Sequence, residues 1–151
     1  MPLNAKNKIS KIQKSFSSIK GKKIQIKYFS SNNYSGGAFW ILPFWRILFL
    51  NKNKNFNEKE LTGLIAHELA HFEINQARGW LTTRVVGIFY WLSPKLRKSE
   101  EARADKLAIK AGYAKEIHAL AKKLKNSKLK KYYMKPDEIK SYTRKIGKWQ
   151  S

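Results

Sequence analysis

The spacing of apolar residues after position 57 predicts a long amphipathic helix. Asn57, followed three residues later by Glu60, is the signature of a capping box, in which each side chain bonds the other residue's backbone N–H. Gly63 is a mild cost inside such a helix. The apolar positions that follow recur at helical spacing and would form one core-facing stripe: Leu61, Ile65, Leu69 and Phe72. The pattern therefore predicts that helices dominate from residue 58 onward.

The patterns before this helix predict a first helix and then strands. Ile9, Ile12, Phe16 and Ile19 form a helical stripe that Gly21 would end. Residues 24–28 alternate apolar and polar side chains as a strand does, and residues 38–50 read as paired strands with Pro43 at a turn or an edge. The order of elements predicts an α+β fold. A small mixed or antiparallel sheet would pack on the helix after residue 57 and on a second, glutamate-bearing helix, with further helices toward the C-terminus.

Two apolar runs raise the question of a membrane. Ala38–Leu50 is interrupted by Pro43 and Arg46, and Trp80–Leu92 contains Arg84, so neither supplies the roughly 20 apolar residues that a spanning helix needs. We predict no transmembrane helix. The aromatic residues of the first run favour a core role over a substrate wall or a dimer contact. The second run favours a buried helix or hairpin, and the alternative is a segment that rests on a membrane surface.

The chemistry of the predicted helix centres on residues 67–71, which read HELAH. On a helix, His67 and His71 project from one face, so both can present a ring nitrogen to one metal ion. Catalytic zinc usually takes three protein ligands and a water molecule, whose pKa the ion lowers toward neutrality. Glu68 would then act as the general base that takes a proton from that water and later passes it to the leaving amine.

A second predicted helix supplies the candidate third ligand. Residues 99–112 read SEEARADKLAIKAG, with Ser93 and Pro94 marking the start of the helix and Gly112 its stop. Glu101 and Asp105 share one face of it, so the Glu101 carboxylate could complete the zinc site while Asp105 orients a histidine. Glu100 is the rival ligand. Glu101 is preferred because Glu100 has only Ala104 one turn away.

HELAH followed by EARAD resembles the paired HExxH and ExxxD motifs of the gluzincin metallopeptidases, which include the CAAX prenyl proteases and the single-domain minigluzincins. The segment GGAFWILPFWRILFLN is similar to the family's paired strands, one of which holds an extended peptide. The resemblance covers roughly residues 24–112 and implies zinc ligation by His67, His71 and Glu101, catalysis by Glu68 and support from Asp105. A counterpart of the family's downstream oxyanion-stabilising residue is not evident. The candidates from this sequence are His118, Arg103 and Tyr113.

Composition and length fit a small enzyme. The chain of 151 residues contains no cysteine, so zinc would depend on histidine and carboxylate ligands and disulfides are excluded. No secretory signal is visible near the N-terminus, and we predict a cytoplasmic protein. We divide the chain into a compact metallopeptidase domain, residues 1–126, and a basic helical tail, residues 127–151. The tail would dock on the body, and it could cover the cleft and hold the enzyme latent.

Charge supports an alternative function. Lys and Arg total 32 against 10 Asp and Glu, which gives a formal net charge of +22. Such a chain could bind an anionic partner, either nucleic acid or a lipid surface, with lysines contacting phosphates and Tyr132, Tyr133 or Trp149 stacking on bases. In that alternative the protein is a basic binding protein whose zinc site is structural or vestigial. The preferred prediction remains a zinc metalloendopeptidase that acts on a protein or peptide.

Overall fold

A computed structural model describes residues 2–127 and 130–149, and its elements confirm the predicted α+β class. The first half holds one helix and then the sheet: α1 (Pro2–Gln13), β1 (Ile24–Phe29), β2 (Gly36–Leu42) and β3 (Trp45–Asn51). Helices make up the second half: α2 (Glu58–Arg78), α3 (Trp80–Leu92), α4 (Pro94–Lys110), α5 (Ala114–Lys123) and α6 (Pro136–Lys145). A short 3₁₀ turn, Leu124–Asn126, follows α5.

The sheet is mixed, with the strand order β1, β3, β2. β3 lies in the centre, parallel to β1 and antiparallel to β2, and Leu42 pairs with Trp45 next to the turn that contains Pro43. The paired strands predicted for residues 38–50 are therefore confirmed. β2 forms an edge of the sheet and packs beside α2. This arrangement brings a strand edge next to the helix that carries HELAH.

The central helix α2 begins as its capping box predicts. Asn57 Oδ1 accepts a hydrogen bond from the Glu60 N–H, and Glu60 Oε2 accepts one from the Asn57 N–H, both at 2.9 Å. Every residue from Gly63 to Ala70 is buried because the sheet, α4 and α5 pack around this part of the helix. His67 and Glu68 are thus placed inside the protein rather than on its surface.

The predicted start of the glutamate-bearing helix is confirmed, and the predicted end of the first helix is corrected. Ser93 Oγ accepts a hydrogen bond from the Leu96 N–H at 3.2 Å, with Pro94 in the first turn of the helix. α1, however, ends at Gln13 and does not continue to Gly21. The Gln13 side-chain amide donates to the carbonyls of Ile19 and Lys22, which holds the chain in turns after the helix.

α3 overturns the favoured prediction that Trp80–Leu92 is buried. No residue of this helix is buried, although it does connect α2 to α4. It packs along one side only, against α2 and α4, so its outer apolar side chains face solvent. Within the described residues, no helix combines the length and the apolar character needed to cross a bilayer.

Gly63 gives a stability prediction. A Cβ built on Gly63 would lie 2.3 Å from the Glu116 carbonyl oxygen, because α2 and α5 approach closely there. Helix propensity alone would make Gly63→Ala stabilising by about 1 kcal/mol. The backbone clash costs about 1–3 kcal/mol or more, as overpacking in a core does. We expect a lower free energy of unfolding in urea for Gly63→Ala.

Gly87 of α3 is the matched control for this prediction, because a Cβ built there meets no atom within 4 Å. Gly87→Ala should leave the protein as stable as the wild type or raise its free energy of unfolding by up to about 1 kcal/mol. If Gly63→Ala were as stable as Gly87→Ala, the close contact between α2 and α5 would be wrong.

Candidate metal centre

Three potential ligand atoms converge between α2 and α4. His67 Nε2 lies 3.2 Å from His71 Nε2 and 3.0 Å from Glu101 Oε2, and His71 Nε2 lies 3.6 Å from the same oxygen. The two histidines share a face of α2 because they are four residues apart, and α4 packs against that face. The three side chains form a group that could hold a metal ion.

Asp105 determines which nitrogen of His67 faces this group. Its Oδ1 lies 2.8 Å from His67 Nδ1, so Nδ1 carries a proton and donates a hydrogen bond to Asp105, while Nε2 faces His71 and Glu101. Asp105 Oδ2 in turn accepts a hydrogen bond from the Met134 N–H at 3.0 Å. At these distances the two Nε2 atoms and the Glu101 carboxylate repel one another unless a proton or a metal ion lies between them. The donor set therefore fits a divalent metal ion.

The pKa values of His67 and Glu101 indicate that the site between α2 and α4 favours a positive charge. Burial lowers the pKa of His67, but the Asp105 and Glu101 carboxylates outweigh burial and hold that pKa well above its usual value. Burial raises the pKa of Glu101, but His71 and His67 hold it well below its usual value. The centre thus favours a positive charge, which either a proton or a metal ion can supply.

Glu68 lies in the same cleft and points toward the sheet. Its pKa is raised chiefly by burial, against the opposing effect of His67 and His71. A Cβ added at Gly36 of β2 would come within 3.0 Å of Glu68 Oε1. A glycine at this position therefore lets the edge strand pass directly beside the carboxylate.

The cleft that holds these groups has a volume of about 540 Å³. Its floor includes Glu68, His71 and Glu101, one wall is β2 and the opposite wall is α3. The aromatic run of β2 and β3 has two roles. Trp40 is buried in the core, whereas Phe39 is half exposed and lines the cleft, and Phe44 and Trp45 are exposed.

Glu100, the rival third ligand, is engaged elsewhere. Arg78 donates two hydrogen bonds to its carboxylate, at 2.8 and 2.9 Å. This fork-shaped pair satisfies both carboxylate oxygens and directs them away from the histidines. The structure therefore brings Glu101, and not Glu100, to His67 and His71.

Within the described part of the chain, none of the three oxyanion candidates lines the cleft. The His118 ring packs edge-on against Trp149, with ring centroids 5.4 Å apart. The Tyr113 hydroxyl lies 3.0 Å from Ser15 Oγ, and Arg103 is exposed on α4. None of the three is positioned to contact a substrate bound beside Glu68.

Other residues that the sequence patterns did not indicate do reach the site. The Tyr90 hydroxyl donates a hydrogen bond to Glu101 Oε1 and accepts one from Arg97 Nε at 3.3 Å. The ring of Tyr133, from the tail, lies tilted 5.1 Å from the His67 ring, measured between centroids. Burial and the neighbouring Glu101 carboxylate raise the pKa of both tyrosines, so both stay protonated. The single proton of the Tyr90 hydroxyl is committed to Glu101, whereas the Tyr133 hydroxyl is available as a hydrogen-bond donor at the cleft.

No protein-family model, curated protein or solved structure matches this chain. The chemistry of the site follows from its own residues. Two imidazoles and one carboxylate can hold a divalent cation, and a second carboxylate, Glu68, stands within the same cleft. The site thus combines a possible ligand set for a divalent cation with a carboxylate that does not belong to that set.

Proposed function

We propose that the protein is a zinc-dependent metalloendopeptidase of the gluzincin type. The observation that carries this proposal is the convergence of His67 Nε2, His71 Nε2 and Glu101 Oε2 beside a cleft that is lined by the buried carboxylate of Glu68. A structural zinc site is normally closed by four protein ligands. Three ligands beside an accessible cleft favour a catalytic role instead.

Zinc is the proposed ion because two histidines and one carboxylate are a common ligand set of catalytic zinc. His67, His71 and Glu101 would hold it, with Asp105 and Tyr90 orienting two of these ligands through hydrogen bonds. When bound, zinc supplies the positive charge that lowers the pKa of a water molecule and polarises a peptide carbonyl.

Glu68 performs the proton transfers in this proposal. Its carboxylate would accept the proton of the attacking water and later donate it to the amine that leaves. Because its pKa is raised, Glu68 is a stronger base than an exposed glutamate and matches neutral pH more closely.

An extended polypeptide is the proposed substrate. β2 is an edge strand that lines the cleft, and its backbone could pair with a peptide laid alongside it. Gly36 and Gly37 remove side chains where this peptide would pass closest to Glu68. The resemblance to gluzincins, in which a comparable strand holds the peptide, supports the same mode of binding.

The direct test uses the zinc-loaded protein and a mixture of unfolded proteins as substrates, with new termini identified by mass spectrometry. We expect internal cleavage that stops on chelation and returns when zinc is restored. A zinc-loaded protein that cleaves none of these substrates would favour the alternative, a basic binding protein with a structural metal site. We propose the cytoplasm as the compartment in which cleavage takes place.

We also propose that the tail restricts entry to the cleft. Tyr133 lines the cleft and packs on His67, while α6 anchors the tail through the fully buried Ile139. Tyr133→Ala should raise kcat/KM for peptides with bulky side chains roughly fivefold, which corresponds to a transition-state free energy lower by about 1 kcal/mol. Tyr132→Ala is the control, because Tyr132 stacks under Arg97 and does not line the cleft. Equal kcat/KM values for the two variants would contradict latency through Tyr133.

A further inference from the structure

The outer face of α3 is an apolar stripe that no part of the described chain covers. Its members recur at helical spacing and are exposed by 71%, 50%, 55% and 73%: Leu81, Val85, Phe89 and Leu92. Ile88 and Trp91 extend this stripe to the rim of the cleft and are 63% and 61% exposed. We call these six residues the α3 apolar face. A contiguous apolar surface of this kind marks an interaction site.

The polarity of α3 differs from that expected for a helix on the surface of a water-soluble domain. Such a helix turns its apolar stripe inward and its polar residues toward water. In α3 the side that is half-buried against the protein includes Thr83 and Tyr90, whose hydroxyls bond the Asn75 carbonyl and Glu101. These two hydroxyls therefore face the protein together with Trp80 and Val86, while the larger part of the apolar surface of α3 faces outward beside Thr82 and Arg84, which suits an apolar environment outside.

Charge around α3 identifies the kind of environment. No acidic residue occurs between Glu73 and Glu100, and exposed cations flank the apolar face: Arg84, Lys95 and Lys98. The whole chain has a net charge of +22. An apolar helix face with aromatic side chains, bordered by Lys and Arg, is the pattern of a helix that lies in the interface of an anionic bilayer. A nucleic acid would instead require cations across the contact face itself.

We infer that α3 is a membrane-docking helix, which inserts its apolar face into the surface of a bilayer that contains anionic phospholipid. The helix has 13 residues, so it lies in the plane of the interface rather than crossing it. At the depth of the docked helix, the lipid phosphate groups contact Arg84, Lys95 and Lys98. Docking depends on the α3 apolar face and the cations that flank it, and it does not depend on catalysis.

Docking also specifies where the substrate lies. α3 forms a wall of the cleft, and Ile88 and Trp91 belong to both the cleft and the apolar face. A docked protein therefore opens its cleft close to the lipid headgroups. This position of the cleft indicates a substrate with an extended segment next to a membrane, an inference that rests on the proposed peptidase activity.

The test is co-sedimentation of the full chain with vesicles of phosphatidylcholine alone and of equimolar phosphatidylcholine and phosphatidylserine. Wild type should bind the anionic vesicles. The triple variant Leu81→Ser, Val85→Ser and Phe89→Ser should bind them at least about tenfold more weakly, since three apolar side chains no longer insert. These side chains lie outside the core and the cleft, so circular dichroism and thermal unfolding should match the wild type.

Two controls separate the α3 face from general stickiness and overall charge. Tyr28→Ser removes a 45% exposed aromatic from β1, at the opposite edge of the sheet from β2, and should leave vesicle binding unchanged. Lys95→Ala with Lys98→Ala should weaken binding to anionic vesicles severalfold. Lys6→Ala with Lys110→Ala removes the same charge from exposed positions on α1 and at the opposite end of α4 and should have little effect.

Two results would overturn the inference. One is a triple variant that binds anionic vesicles as tightly as the wild type. The other is a wild type that forms a dimer in sedimentation velocity and becomes monomeric in the triple variant, because a second copy would then cover α3. Glu68→Gln should bind vesicles as the wild type does, so failure of the peptidase proposal is distinguishable from failure of docking.

Discussion

Glu68→Gln is expected to reduce peptide cleavage by roughly 10²–10⁴-fold while zinc remains bound. The substitution keeps the size of the side chain and removes the group that accepts and returns the proton, and general acid–base catalysis contributes an effect of this order. Glu68 is not one of the three converging ligands, so the stoichiometry of zinc should not change. Cleavage of a fluorogenic peptide and zinc content by elemental mass spectrometry measure the two quantities on the same samples.

Glu58→Gln is the matched control, since it makes the same substitution in the first turn of the same helix. Glu58 is exposed, and its carboxylate pairs with Lys8 far from the cleft. A surface ion pair of this kind contributes little to stability, so activity should stay near that of the wild type. If Glu68→Gln cleaved as fast as Glu58→Gln, Glu68 would not be the base, and a metal-centred mechanism would need another proton acceptor.

The elements that could be predicted from the sequence are those specified locally. The start of α2 follows from Asn57 and Glu60, and the start of α4 follows from Ser93 and Pro94, because in each case the capping groups are neighbours along the chain. The sequence placed Asp105 on the same face of α4 as Glu101 and predicted that it orients a histidine, but it did not identify that histidine as His67. Their contact depends on how α4 packs on α2, which no local pattern contains.

The features that could not be predicted depend on contacts between distant elements. The apolar run of α3 resembles a buried helix in sequence, since an apolar face looks the same whether it meets a core or another surface. Gly63 appeared to be a small cost within a helix, but its role is the close approach to Glu116 on α5. Tyr133 reaches His67 from the tail, 66 positions away along the chain, so no motif connects the two.

Asp105 joins the metal centre to the C-terminal tail. One of its carboxylate oxygens lies beside His67, and the other accepts the Met134 N–H from the segment that leads into α6. The same residue therefore orients a proposed ligand and fixes the tail, which places Tyr133 over the histidine. Packing of the tail and the geometry of the metal centre are consequently linked through a single carboxylate.

Glu101→Ala is expected to weaken zinc binding by more than the roughly 10–100-fold that loss of an outer hydrogen-bonding partner causes, because it removes one of three ligands. It also leaves His67 and His71 without the carboxylate that balances the charge of the ion. Competition with a chromophoric chelator would measure the zinc affinity, and circular dichroism would verify that the variant is folded. Purified Glu101→Ala should contain little zinc.

Two further variants serve as comparisons for the zinc affinity of Glu101→Ala. Tyr90→Phe keeps the Glu101 ligand but removes the hydroxyl that holds its other oxygen, so zinc affinity should fall by about tenfold. Glu100→Ala removes the adjacent carboxylate, which binds Arg78 and not the histidines, and should leave zinc affinity near the wild-type value. If Glu100→Ala lost zinc while Glu101→Ala retained it, the assignment of the third ligand would be reversed. α4 would then present a different face to α2 than the one that brings Asp105 to His67.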